Sequence, residues 1–183
     1  MGRDLVSRAM AGDHEAFSEL TRLSIAKLYA VARLILRDDE RAEDATQEAL
    51  VAAWRWCSTL RDPDHFDAWL RRLLVHACYR EAARAKRRLT IETSIPPIAH
   101  TGADPVVAIA DQDELERGFR RLSPEQRALI VLHFYLGLPM LETTETLGIP
   151  VGTVKSRLSR AIQQMRAALD ADARLPLIEG RVT

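Results

Sequence analysis

Lys155, Arg157 and Arg160 stand within "GTVKSRLSRA", and Val154, Leu158, Ile162, Met165 and Leu169 recur beside them at helical spacing. A helix here turns one apolar stripe inward and presents Thr153, Lys155, Ser156, Arg157 and Arg160 on its other faces. Arginine can grip the O6 and N7 of guanine with two hydrogen bonds, whereas lysine and serine more often hold phosphates. The helix N-terminus itself favours a phosphate. A merely solvated charged face mixes acids with bases, yet residues 152–169 hold four bases and no acid. This face reads as a DNA-contacting one. A second set lies upstream. Asp44 with Gln47, and Asp44 with Glu48, are three and four positions apart, so one helix face offers carboxylates and an amide to a basic partner helix. An exposed acidic face is the plainer alternative for that set taken alone.

Overall charge hides both surfaces. The 183 residues carry 26 basic and 26 acidic side chains, a formal net charge of zero. Locally, residues 38–48 hold six acids and one arginine, and residues 71–88 hold seven bases and one acid. Residues 104–116 hold five acids and no base. Separate acidic and basic surfaces suit different partners. Apolar content of 47% and charged content of 28% fit a globular chain. No run of eighteen apolar residues suggests a membrane span, the N-terminus lacks the apolar core of a signal peptide, and Val6 stands where a myristoylation signal has Ser or Thr. A cytoplasmic protein without direct membrane insertion is expected. Cys57 and Cys78 lie far apart without metal-ligand spacing and read as reduced, packed thiols. Neither a metal nor a cofactor is implied.

The elements that must position these residues read as helices throughout. Asp13 is a candidate N-cap before Phe17, Leu20, Leu28, Val31 and Ile35. "AEDATQEALVAAWRW" forms the next helix, with Ala45, Ala49, Ala52 or Ala53 and Trp56 on its apolar side, and Trp54 and Trp56 read as core. "STLRDPDHF" interrupts it, and a third helix is predicted over about 67–87. Residues 90–111 hold three prolines and no helical period, which marks a linker. Ser123, Pro124 and Gln126 then form a capping box opening a helix that Gly137 stops. A short helix over Met140–Leu147, Gly148, and a longer helix from Val151 make a helix-turn-helix pattern. The expected fold is all-α: two small helical domains, residues 10–88 and 113–170, joined by a flexible linker over 89–112 and followed by a short tail over 171–183.

With those motifs in view, the chain resembles sigma-70 family transcription initiation factors of the extracytoplasmic-function (ECF) subgroup. "GLPMLETTETLGIPVGTVKSRLSRAIQQMR" is similar to the helix-turn-helix of region 4.2, and "RLSPEQRALIVLHFYLGLP" to region 4.1 before it. "DDERAEDATQEALVAAWRW" resembles region 2.2, which docks on the clamp coiled coil of the polymerase β′ subunit; Asp44, Gln47 and Glu48 match its core. "HFDAWLRRLLVHACYREAARAKRR" resembles regions 2.3 and 2.4, which melt and read the promoter −10 element. The resemblance implies that Phe66, Trp69, Arg72, His76, Arg80, Arg84 and Arg87 meet the −10 strand, with Lys86 and Arg88 as further cations. Apolar rings receive unstacked bases and cations receive phosphates. Trp69 fits a core position equally well. His76 stands where the family usually has Asn, and "LETTET" replaces the usual "YEEIAE", a weaker helix former.

The resemblance implies two contacts on core RNA polymerase, the β′ clamp and the β subunit, together with promoter DNA and an anti-sigma factor. Its mechanism is bipartite, with residues 151–169 on the −35 duplex and the first domain on the −10 strand. Each half gains effective concentration from the other. The alternative is a stand-alone helix-turn-helix regulator whose first domain dimerises or senses. An enzyme has little support: His14, His65, His76, His100 and His133 are scattered, with no HExxH, phosphate loop or nucleophile elbow.

Overall fold

The computed structural model describes the backbone of residues 2–92 and 118–173 and the side chains of 2–88 and 118–169. All but the edges of the predicted linker and tail lie outside these residues. Among the described residues these α-helices follow in order: α1 Arg3–Met10, α2 His14–Leu36, α3 Asp39–Trp56, α4 Phe66–Glu92, α5 Pro124–Ile130, α6 Met140–Leu147 and α7 Val151–Ala173, and residues 118–120 before α5 are also helical. Short 3-10 turns at Cys57–Thr59 and Pro63–His65 link α3 to α4, and a π-helical turn at Val131–Tyr135 extends α5. No strand occurs among the described residues.

Local signals fix most helix ends. The Asp13 carboxylate accepts from the amide of Ala16 and starts α2. Between α2 and α3 the chain turns on Arg37, in the left-handed region at φ 58°, and Asp38 then caps α3 by accepting from the Arg41 amide. The capping box at Ser123 is complete. Its amide donates to Gln126 Oε1 at 2.8 Å, and the Gln126 amide donates to Ser123 Oγ at 3.3 Å. Helix α1 was not foreseen from sequence, because only Val6 and Ala9 of its residues are buried.

The first four helices enclose one core. Helix α3 turns Ala42, Ala45, Ala49 and Ala53 inward, all fully buried, and small side chains let α2 and α4 approach it closely. Leu20, Ile35 and Leu74 are almost wholly buried, each worth about 1.5–3 kcal/mol in transfer terms. The alanine stripe corrects the expectation for two tryptophans. Trp54 and Trp56 are 37% and 57% exposed, displaced to the flank because the inward positions admit only small residues. Trp54 rests instead on His14 and Phe17, with ring centroids 4.4 and 5.0 Å away. Cys57 and Cys78 are buried free thiols, and burial pushes Cys78 up to about 12.

The last three helices form a second helical unit that packs directly against the first. Gln126 and Gln164 tie α5 to α7, the amide of one donating to the oxygen of the other at 2.9 Å. Helix α5 meets α2 and α4, and α6 meets α4. Arg127 marks the joint. Its buried guanidinium donates from Nε to the Ile35 carbonyl near the end of α2 at 2.5 Å, and from Nη1 to the Leu122 carbonyl at 3.2 Å. Desolvation, then nearby Arg37, lowers its pKa to about 10. Arg71 of α4 pairs with Glu142 of α6 at 3.5 Å across the same joint.

Candidate nucleic-acid interface

Helix α6 ends on Gly148 at φ 66°, whose amide donates to the Thr144 carbonyl at 2.8 Å. That left-handed residue reverses the chain within three positions, and Pro150 accepts the amides of Thr153 and Val154 as α7 begins. The turn therefore projects the start of α7 outward. Val154, Leu158 and Ala161 are buried against the unit, whereas Lys155, Ser156, Arg157 and Arg160 are exposed and Thr153 is half-buried. Ser156 Oγ donates back to the Thr153 carbonyl at 3.1 Å. Among the described residues Lys155, Arg157 and Arg160 form no ion pair, so the field of this face is not neutralised locally.

On the first unit, Asp44 and Gln47 are exposed on α3 and Glu48 is half-exposed. Glu48 is already engaged. Its Oε1 accepts from Arg80 Nε at 2.8 Å and its Oε2 from Arg84 Nη1 at 3.1 Å, both on α4. Arg84 Nη1 also donates to Glu81 at 3.0 Å. Three residues expected on two different surfaces therefore meet in one cluster.

The remaining strand-facing candidates divide by burial. Arg72, Arg80, Arg84 and Arg87 are exposed on α4, as are Lys86 and Arg88. Trp69 is half-buried, with its ring 5.9 Å from that of Phe66. Phe66 is itself a core residue at 2% exposure, at the point where α4 begins. His76 is half-buried, and burial followed by Arg72 and Arg80 lowers its pKa, which keeps the ring neutral near pH 7. A neutral imidazole offers one donor and one acceptor. Tyr79 packs edge-on to His76 at 6.5 Å and is pushed upward by burial and by Glu125 of the second unit, with Arg157 acting in the opposite sense. The joint thus brings α4 near the start of α7.

Sequence reasoning passed over one surface. The Leu136 amide donates to the Val131 carbonyl, the five-residue spacing of the π turn, and the Leu138 amide donates to the Leu132 carbonyl just beyond it. Phe134 and Tyr135 emerge 59% and 58% exposed, and Leu141, six residues further on, is 64% exposed. Apolar side chains exposed together mark contact surfaces more often than chance.

The family description "Sigma-70 region 2" matches residues 20–88, and "Sigma-70, region 4" matches residues 112–165. The ECF RNA polymerase sigma factor SigM of Mycobacterium tuberculosis is 36% identical over 159 residues, covering 86% of this chain and 79% of the relative. The chain belongs to the sigma-70 family, in its ECF subgroup. It is a transcription initiation factor that joins RNA polymerase and directs promoter-specific initiation. A solved structure of CnrH in complex with the cytosolic domain of CnrY is 27% identical, covers 93% of this chain and 97% of its own, and superposes with a TM-score of 0.64. The sigma factor RpoE from Bartonella quintana, solved with the anti-sigma factor NepR, shares the fold at 24% identity and a TM-score of 0.67, covering 85% of this chain and 98% of its own. The stand-alone regulator is not favoured. Among the described residues no helix of this sigma factor is long and apolar enough to cross a membrane.

Proposed function

We propose that this sigma factor divides promoter recognition between two units, residues 10–88 and 113–170, with 89–112 linking them and 171–183 a short tail. Thr153, Lys155, Ser156, Arg157 and Arg160 contact the −35 duplex. The observation that carries the assignment is the stretch 152–169 of α7, which holds no acid and whose exposed Lys155, Arg157 and Arg160 form no ion pair among the described residues. Asp44, Gln47 and Glu48 dock on the β′ clamp, supported by the exposure of the first two on one helix face. The exposed apolar side chains of Phe134, Tyr135 and Leu141 suit a contact with the β subunit.

Arg72, Arg80, Arg84 and Arg87 take strand phosphates, with Trp69 and neutral His76 nearest to the bases. Phe66 supports the strand site from within the core by packing under Trp69. The chain itself catalyses no reaction, acts in the cytoplasm and needs no cofactor. An anti-sigma factor binds it, a reading supported by its likeness to RpoE and CnrH, which were solved with NepR and CnrY.

The test is capture of core RNA polymerase by the full-length protein, comparing wild type with an Asp44→Ala, Gln47→Ala double variant. Stoichiometric capture by wild type and its loss in the variant is the expected result. Undiminished capture by the variant sinks the docking assignment.

A further inference from the structure

Trp69, Arg72, His76, Arg80 and Arg87 stand three, four, four and seven positions apart, which sets them on one face of α4. The opposite face buries Leu70, Leu74, Ala77 and Cys78. His76 lies in the middle of the stripe, half-buried, with an exposed arginine one helical turn to either side. Tyr79 closes a third side, its ring edge-on to the imidazole. Neither imidazole nitrogen has a hydrogen-bond partner among the described residues, and neither is sealed from solvent. Two unused polar atoms on a half-buried ring, set between cations, are placed for the edge of a base.

We propose that His76 reads one base of the −10 strand through a single hydrogen bond whose direction follows the base. Its outward nitrogen accepts from the exocyclic amino group of adenine or cytosine, and donates to the exocyclic oxygen of guanine or thymine. The proposal rests on the reading of α4 as the strand surface. It adds that one position of the −10 element tolerates all four bases.

The tolerance comes from the ring. An amide side chain turns its oxygen and its NH2 to the same side, so a base meets a donor and an acceptor in fixed order. The two imidazole nitrogens point away from each other, so one faces a base and the other faces away. In the neutral ring one nitrogen carries the proton and the other a lone pair. Burial, followed by Arg72 and Arg80, favours that neutral form. A hydrogen bond to the second nitrogen ordinarily decides which of the two is protonated. His76 has none among the described residues. Its proton can therefore pass from one nitrogen to the other through water, and the outward atom becomes donor or acceptor as the base requires.

The test uses holoenzyme assembled from the full-length protein and core RNA polymerase. Its probe is a fluorescein-labelled fork-junction DNA, duplex at the −35 element and single-stranded at the −10 element, taken from a promoter that this holoenzyme opens. Each −10 position is made A, C, G, T or abasic in turn, and affinity is read by anisotropy. At one position all four bases are expected to bind more tightly than the abasic site. His76→Ala shrinks each of those four gains there by roughly three- to tenfold, and leaves the gains at the other positions alone. His76→Phe, which keeps a ring against Tyr79 but has no nitrogen, gives the same loss, and unsubstituted purine at that position shows no dependence on His76. A His76-dependent gain confined to one base means a fixed donor or acceptor and overturns the proposal. So does full retention of the gains in His76→Phe, which would mean stacking, or the absence of any His76-dependent position. Arg72→Gln, Arg87→Gln tests the reading beneath it. Uniform weakening on every DNA supports α4 as the strand surface, whereas unchanged binding removes that reading and the proposal with it.

Discussion

Arg157 and Glu48 show how differently single side chains declare themselves. Arg157 is exposed, forms no ion pair among the described residues and has Lys155 and Arg160 near it in sequence, and its sequence context alone announced a basic face because no acid occurs between 152 and 169. Arg157→Ala is expected to weaken −35-dependent promoter binding by the holoenzyme by about 1–3 kcal/mol, measured by titration on matched and scrambled −35 sequences. An equal loss on both sequences would mean a phosphate contact, and no loss would mean a solvent-facing side chain. Glu48 looked in sequence like one more carboxylate on a docking face. Its partners come from a different helix, and residue spacing is silent about side chains brought together by packing. Phe66 taught the same lesson in reverse. An aromatic ring beside a basic run has the chemistry to stack on a base, but only burial separates a ring in the core from one at a surface.

At the scale of elements, ends and periods were legible where local chemistry sets them. Asp13, the Ser123 capping box and Gly148 all act through hydrogen bonds or backbone angles within four residues. Helix α6 was less transparent. "LETTET" is a poor helix by propensity, yet Thr143, Thr144 and Thr146 are all buried. Thr143 Oγ1 donates to the Pro139 carbonyl at 3.1 Å and Thr144 Oγ1 to the Leu141 carbonyl at 2.6 Å, which spends their hydroxyls inside the helix. What looks like weak helical sequence is a compact face fitted to neighbouring helices. Thr146 breaks the pattern, since its buried Oγ1 has no hydrogen-bond partner among the described residues. Replacing that hydroxyl by a methyl group preserves shape and removes a desolvated polar atom. Thr146→Val is therefore expected to raise unfolding stability by about 1 kcal/mol, read as a higher urea midpoint at unchanged slope. A lower midpoint would show that the hydroxyl does find a partner.

The arrangement of the whole molecule could not be read from the sequence at all. Nothing in the spacing of Arg127 distinguishes it from the surface arginines on either side of the chain, and its carbonyl acceptor on Ile35 lies 92 residues away. Packing alone turns it into the fastener between the two units. Arg127→Ala removes charge-assisted hydrogen bonds and leaves the Ile35 carbonyl covered without a donor. The expected effect is to weaken closure by about 1.5–3 kcal/mol. Small-angle scattering should report a larger radius of gyration than wild type, with helical content unchanged by circular dichroism. An identical radius would mean that apolar contacts hold the units together without it.

The fastener also has a thermal character. Opening the joint returns the Arg127 guanidinium to water, and hydration of a charged group is most favourable in the cold. Burial of the apolar side chains around it weakens on cooling as well. Both tendencies run in the same direction, so warming tightens the joint between the units and cooling loosens it, until the helices themselves begin to melt.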